Sequence, residues 1–112
     1  MLTQALAYYQ AMNQKDLATM EKHLHPEVEL IGPMANAQGK EDVVKALSHL
    51  LKAMNKLTVR AHFAEDNQVM LAYDIEFPDP IGISRAAVLL TFEDDLIKRY
   101  ELFFDGSPFK MN

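Results

Sequence analysis

The side chains with chemical potential in this chain fall into a few groups. Tyr8 and Tyr9 stand side by side in a stretch of helical spacing. A buried phenol must find a partner, and it can offer a ligand a hydrogen bond. Helical phase centres the apolar stripe near Tyr9 and leaves Tyr8 at its margin, so either can enter an interior cavity. His23 and His25 form an H-x-H pair. They straddle a helix end and point different ways, with no carboxylate at ligand spacing, whereas a metal needs about three or four convergent ligands. His49 falls on the polar side of a helix and His62 on the outward side of a strand, both as solvated residues. Asp74 and Glu76 face one way at i, i+2 and have the groups for acid and base roles. The apolar partners in their strand claim the interior, which leaves the acids to solvent or to an interface. In "LIKRYELFFD", residues 96–105, Tyr100, Leu102 and Phe104 share one face, and Arg99, Glu101 and Phe103 share the other. The charged face belongs outside and the aromatic face inside. Lys98 is expected at the open end of the inward face, with its stem buried and its ammonium in water.

The elements that must position these groups are legible from period. Leu2, Ala5, Leu6, Tyr9 and Met12 predict a first helix. Asp16 is placed to cap a second, short helix carrying Leu17, Met20 and Leu24, which Pro26 stops. "EVELIGP" reads as a brief strand, "MANAQG" as a loop, and Lys40 to Met54 as a third helix with Val43, Leu47, Leu50, Leu51 and Met54 as its stripe. Beyond Asn55 the period becomes two. Leu57, Val59, Ala61 and Phe63 alternate with Thr58, Arg60 and His62. After a turn at "EDNQ", Val69, Leu71, Tyr73, Ile75 and Phe77 do the same. "PDPIG" turns the chain into a strand over Ile83 to Phe92 that is apolar on both faces, and "EDD" leads into the last strand. Three helices with one early strand, followed by four antiparallel strands, make an α+β fold with the helices gathered on one face of a curved, mostly antiparallel sheet.

The 112 residues suffice for one domain and not two, so 1–112 is read as a single unit. Hydrophobic residues are 49% and charged residues 24%, the balance of an ordinary globule. A net charge of -5 gives no case for nucleic acid or an anionic membrane as partner. With 0 cysteines there is no disulfide frame and no thiolate metal site, and no glycine-rich phosphate loop follows a strand. No metal or organic cofactor is therefore expected. "MLTQALAYYQAMNQ" has neither a basic start nor a long apolar run, which points to a cytoplasmic protein.

The stretches "YYQAMNQKDL", "HPEVELIGP", "GKEDVVKAL" and "TFEDDLIKRYELFFDGSPF" resemble, in order and spacing, the cone-shaped nuclear transport factor 2-like fold in its SnoaL-like branch. That branch includes ketosteroid isomerases, limonene epoxide hydrolases and polyketide cyclases. The resemblance implies an α+β barrel with a cavity. It places Tyr8 where the isomerases have their oxyanion tyrosine, but Gly32 where their base stands and Val88 where their protonated acid stands. At the last strand it places Leu102 where the hydrolases and cyclases have a working aspartate, and Asp105 at a terminal acid read as structural. The usual carboxylates are missing.

The reading is an apolar cavity for a small hydrophobic molecule. Its expected lining is Tyr8 or Tyr9, Met12 and Gly32 from the first half of the chain. Tyr73, Ile75, Phe77, Val88, Tyr100 and Leu102 complete it from the sheet. The seven methionines suit an adaptable cavity and core packing alike. Two alternatives stand beside this. One is an isomerase, cyclase or hydrolase with a relocated acid such as Asp74 or Asp79. The other is a dimeric interaction module. Ala87 and Leu89 form an outward apolar strip, so a homodimer through the outer sheet face is expected.

Overall fold

The first helix, α1 (Leu2–Asn13), buries Ala5, Tyr8, Tyr9, Ala11 and Met12. It hides both tyrosines because it is covered on two sides, by the sheet and by α2 (Leu17–Lys22). Lys15, with φ 59°, reverses the chain between them. Asp16 caps α2: its carboxylate accepts from the Thr19 backbone N–H at 3.1 Å and from the Thr19 hydroxyl at 2.6 Å. The structure, a computed structural model, describes residues 1–109.

Helix α2 stops before Pro26 is reached. Leu24 opens strand β1 (Leu24–Ile31) and lies beside Ile97, so it does not extend the helical stripe as the spacing suggested. Pro26 sits where the β1 register is interrupted between Leu24 and Glu29, a place in a strand that a residue without an N–H tolerates. The "MANAQG" loop also contains a short strand, β2 (Asn36–Gln38), paired antiparallel with β1. Gly39, with φ 88°, takes the left-handed turn that a side chain resists and starts α3 (Lys40–Ala53). Glu41 and Asp42 sit in its first turn, at the positive end of its dipole. At its other end the Lys15 ammonium donates to the carbonyls of Leu51 and Met54, groups that otherwise lack helical partners. Asn13 ties α1 to the sheet by bonding both the N–H and the C=O of Leu57.

Strands β3 (Lys56–Glu65), β4 (Gln68–Glu76), β5 (Ile83–Glu93) and β6 (Leu96–Phe104) form the antiparallel run. The whole sheet has 6 strands in the order β2-β1-β6-β5-β4-β3. The β1–β6 pair is parallel, so the sheet is mixed, and it stays open with β2 and β3 as its edges. On its inner face Val69, Leu71, Tyr73 and Ile75 meet Ala86, Val88, Leu90 and Phe92, all buried under the helices.

Bulges change two expectations. The β3 register shifts between Val59 and Ala61. One extra residue flips a period-two strand, so Phe63 turns outward opposite Met70 and is 71% exposed, while His62 comes opposite inward Leu71. A second shift lies at Lys98, where Arg99 pairs with Thr91 but Ile97 with Phe92. Ile97 is buried instead of Lys98, whose ammonium stands 3.6 Å from the carboxylates of Glu27 and Glu93. The rest of β6 keeps the expected phase, with Leu90, Val88 and Ala86 opposite Tyr100, Leu102 and Phe104.

Candidate functional site

A cavity of about 330 Å³ opens between α3 and the inner face of the sheet. Its wall on the helix is Ala46, Leu47, Leu50 and Ala53, with His49 also at its lining. Across from them stand Ile75, Phe77 and Ser84 from β4, β5 and the segment between, and Tyr100, Leu102 and Phe104 from β6. Leu30, Gly32, Met34 and Ala35 close the β1 side. Phe109 comes from the short 3-10 turn over Ser107–Phe109 and packs edge-on against Phe77 at 5.0 Å and Phe104 at 5.5 Å. Ser107 donates its N–H to the Asp105 carboxylate at 3.0 Å, so the terminal acid shapes this turn.

Of the residues expected at a site, Gly32, Ile75, Phe77, Tyr100 and Leu102 line this cavity. Tyr8, Tyr9, Met12, Tyr73 and Val88 do not reach it and lie in the adjoining core, each at 2% exposure or less. Two positions converge. A Cβ built on Gly32 would lie 3.6 Å from the Leu102 Cβ, so the two places where the resemblance sets a catalytic acid face each other and hold no carboxyl. None of the described lining residues is Asp, Glu, Lys or Arg.

The excluded tyrosines are nevertheless joined to the cavity. The Tyr8 and Tyr9 hydroxyls each stand within hydrogen-bonding distance of the Tyr100 hydroxyl, at 3.3 and 3.2 Å, and Tyr9 is also bonded to Tyr73. Both contacts with Tyr100 are longer than the usual O–H···O length of about 2.7–2.8 Å. The rings of Tyr8 and Tyr9 meet edge to face at 5.0 Å, and Tyr9 leans on Tyr73 at 5.2 Å. All 4 tyrosines of the chain thus form one cluster. Burial pushes the phenols of Tyr8, Tyr9 and Tyr73 well above their ordinary 10.0. Burial also raises Tyr100, against the opposing effect of its hydrogen bonds with Tyr8 and Tyr9.

The sequence signature of the SnoaL-like domain matches residues 5–100. The chain belongs to that family. No curated relative matches it. A Kribbella flavida DSM 17836 protein is 26% identical with a TM-score of 0.91, over 97% of this chain and 89% of that one. An NTF2-like protein of unknown function from Cytophaga hutchinsonii ATCC 33406 is also 26% identical, with a TM-score of 0.84 over 96% and 92%. A de novo designed protein with a curved β-sheet reaches a TM-score of 0.84 at 23% identity, over 96% and 86%. A designed chain shares the fold, so function has to be argued from the site.

The other candidate groups of this SnoaL-like domain lie outside the cavity. Asp74 faces away from the core with Arg60 Nε 3.1 Å from its Oδ1, and Asp79 is exposed in the turn after β4. His23 is half-buried, its pKa lowered by that burial, with its ring edge-on to Tyr8 at 6.4 Å. His25, Glu93 and Asp94 offer ligand atoms within 4.8 Å of one another. The geometry there is that of an ion-pair cluster. His25 Nδ1 accepts from the Glu27 N–H at 3.0 Å, which leaves the proton on Nε2, 3.1 Å from the Glu93 carboxylate. The Lys98 ammonium stands 3.6 Å from the same Glu93 oxygen. No described helix is long and apolar enough to cross a membrane.

Sequence reasoning missed the α3 wall. The signal was present in Ala46 and Ala53, small residues seven apart on the flank of a stripe otherwise made of leucine. His49, assigned to solvent, is exposed and also borders the opening.

Proposed function

We propose that this SnoaL-like domain binds a small hydrophobic molecule in the cavity between α3 and β6, without the carboxylate chemistry of its catalytic relatives. The supporting observation is the lining, which is apolar apart from His49, Ser84 and Tyr100 and which carries leucine and glycine where acids would stand. Apolar concave walls with a few fixed polar groups are the common form of a small-ligand site. A relocated acid has no support, since Asp74 is ion-paired outside and Asp79 does not line the cavity. Titration with aminoanthracene, which fluoresces in apolar surroundings, should give a saturable signal that Ala46→Phe abolishes by filling the space. A folded Ala46→Phe variant that binds the dye like its parent would move the binding to another surface and overturn this reading.

A second reading, a homodimer through the outer sheet face, draws on a separate observation. Phe63, Met70 and Leu89 form one outward row, and Ala61, Ala72, Ala87 and Phe103 form the next. Phe63 and Phe103 are 71% and 52% exposed, while Ile83, 66% exposed, lies beyond the charged Asp74–Arg85 rung. A contiguous apolar strip of this kind favours a partner, and a two-fold copy of itself is the commonest solution. Sedimentation should find a dimer at micromolar concentration that Leu89→Arg converts to monomer; a parent that is monomeric there removes this reading.

A further inference from the structure

We propose that the segment after β6, residues 105–109, is a strap across the mouth of the cavity with Phe109 as its stopper, and that a ligand enters and leaves by displacing it. The inference rests on the cavity being a ligand site and names what controls passage to that site.

The ladder between β5 and β6 ends at Ala86 and Phe104. From there the chain crosses the end of the sheet. Gly106 lies against Pro33 and Met34, just after β1, and three residues later Phe109 packs on Phe77, just after β4. In the sheet β6 and β5 stand between β1 and β4, so the segment runs from one side of the cavity to the other. Met34, Ala35, His49 and Ala53 are the exposed members of the lining and mark where the cavity meets solvent. The strap starts beside one of them, Met34, and brings Phe109 into the lining half-buried.

What holds it there can yield. Ser107 donates its N–H to the Asp105 carboxylate and Phe109 donates its N–H to the Gly106 carbonyl, each at 3.0 Å. Both bonds lie within the segment, so it can move as one piece with neither broken. The contacts of Phe109 and Gly106 with the body are apolar. The Phe109 ring stands edge-on to Phe77 and Phe104, and such contacts fade within a small displacement. Gly106 makes the second hold. Its φ is not positive, so the backbone there would accept a side chain. Room is what is missing, since a Cβ would lie 2.9 Å from the Met34 Sδ. Glycine is therefore fitted to Met34, a flexible side chain 43% exposed, and the two form a latch. A segment beyond the ladder, held by a few apolar contacts, belongs to the low-stability parts of a fold from which lids are drawn.

A covalent lock tests this. The chain has 0 cysteines, so Met34→Cys with Gly106→Cys offers a single disulfide, which fixes the strap closed when oxidised and frees it when reduced. Entry and release of aminoanthracene are followed by stopped-flow fluorescence in the parent, in Phe109→Ala and in the oxidised and reduced pair. Phe109→Ala should release the dye about tenfold faster than the parent, the worth of two edge-on ring contacts. The oxidised pair should slow both entry and release by about tenfold or more against the same protein reduced, and dithiothreitol should restore them. A merely structural role for Phe109 would not make the rates follow the redox state of the pair. If mass spectrometry confirms the disulfide and the dye still passes at the reduced rates, the path lies elsewhere on the rim. The strap inference then fails while the ligand reading stands. A pair that does not oxidise leaves the decision to Phe109→Ala, and a folded variant with the parent's release rate overturns the strap. If the dye does not bind the parent, both readings fail.

Discussion

The space under the helices is filled at one end and hollow at the other. Under α1, Tyr8, Tyr9 and Met12 press on Tyr73 and Tyr100, and every one of them is at 2% exposure or less. Under α3, Ala46, Ala53 and Gly32 face Leu102 and Phe104 across the cavity. The same sheet runs beneath both, and its inner residues alternate identically. What differs is the volume that each helix lowers onto it. The cavity here is made by small residues on α3 and just after β1, and the large ones on α1 leave no room for another.

The largest test of that contrast is alkaline pH, which bears first on the tyrosine cluster at the filled end. The folded phenols titrate above 10.0 because burial penalises their ionised form. Unfolded tyrosines ionise near 10, so above that pH the unfolded state has released protons that the folded state still holds. Their contribution is complete below pH ~10 and is lost as pH rises beyond it. Urea unfolding followed from pH ~8 to ~11 should show stability falling steeply at the top of the range. Tyr8→Phe should flatten that slope. Tyrosinate absorbance that appears while the protein stays folded would mean the cluster is wet.

Next comes Leu102→Asp at the wall of the hollow end. A carboxyl there stays neutral by raising its pKa, and the leucine contacts are lost, for a cost of about 2–4 kcal/mol. The folded acid then titrates above the unfolded one, near 4. The cost is least below that pH and grows as pH rises through it, because the folded state holds the proton longer. Denaturant midpoints at pH ~4 and ~8 would show this, and a variant as stable as its parent at the higher pH would place the side chain in solvent.

The smallest effect sharpens the comparison most. Ala5→Leu adds methylenes where there is no room and should cost about 1–3 kcal/mol. Ala46→Leu makes the same change at the cavity and should cost less than about 1 kcal/mol. Both positions are helical, so propensity changes little. Equal losses in thermal melts would mean that the two ends are packed alike.

Much of this was legible without coordinates. The stripe of α1, the Asp16 cap, the α3 span to within one residue of its end, and the inward phase of Tyr100, Leu102 and Phe104 all follow from period and capping chemistry. The errors came where period is broken. An extra residue near Arg60 and another at Lys98 reversed the faces of Phe63 and Lys98, because a bulge costs one residue and a period-two pattern has no memory across it.

The missing carboxylates and the neutral lining expected of Gly32 and Leu102 were decided by the sequence alone, because residue type is a local property of a chain. The location of the cavity was decided by the tertiary structure. Tyr8 and Tyr9 project about 100° apart on a helix, and period alone chooses between them. A helix sunk between the sheet and α2 buries both, and both then converge on Tyr100 from far along the chain. Which side an element buries is written in its own spacing wherever no bulge interrupts it. How much space remains between two elements depends on the summed volumes of side chains from both, and only the fold brings those together.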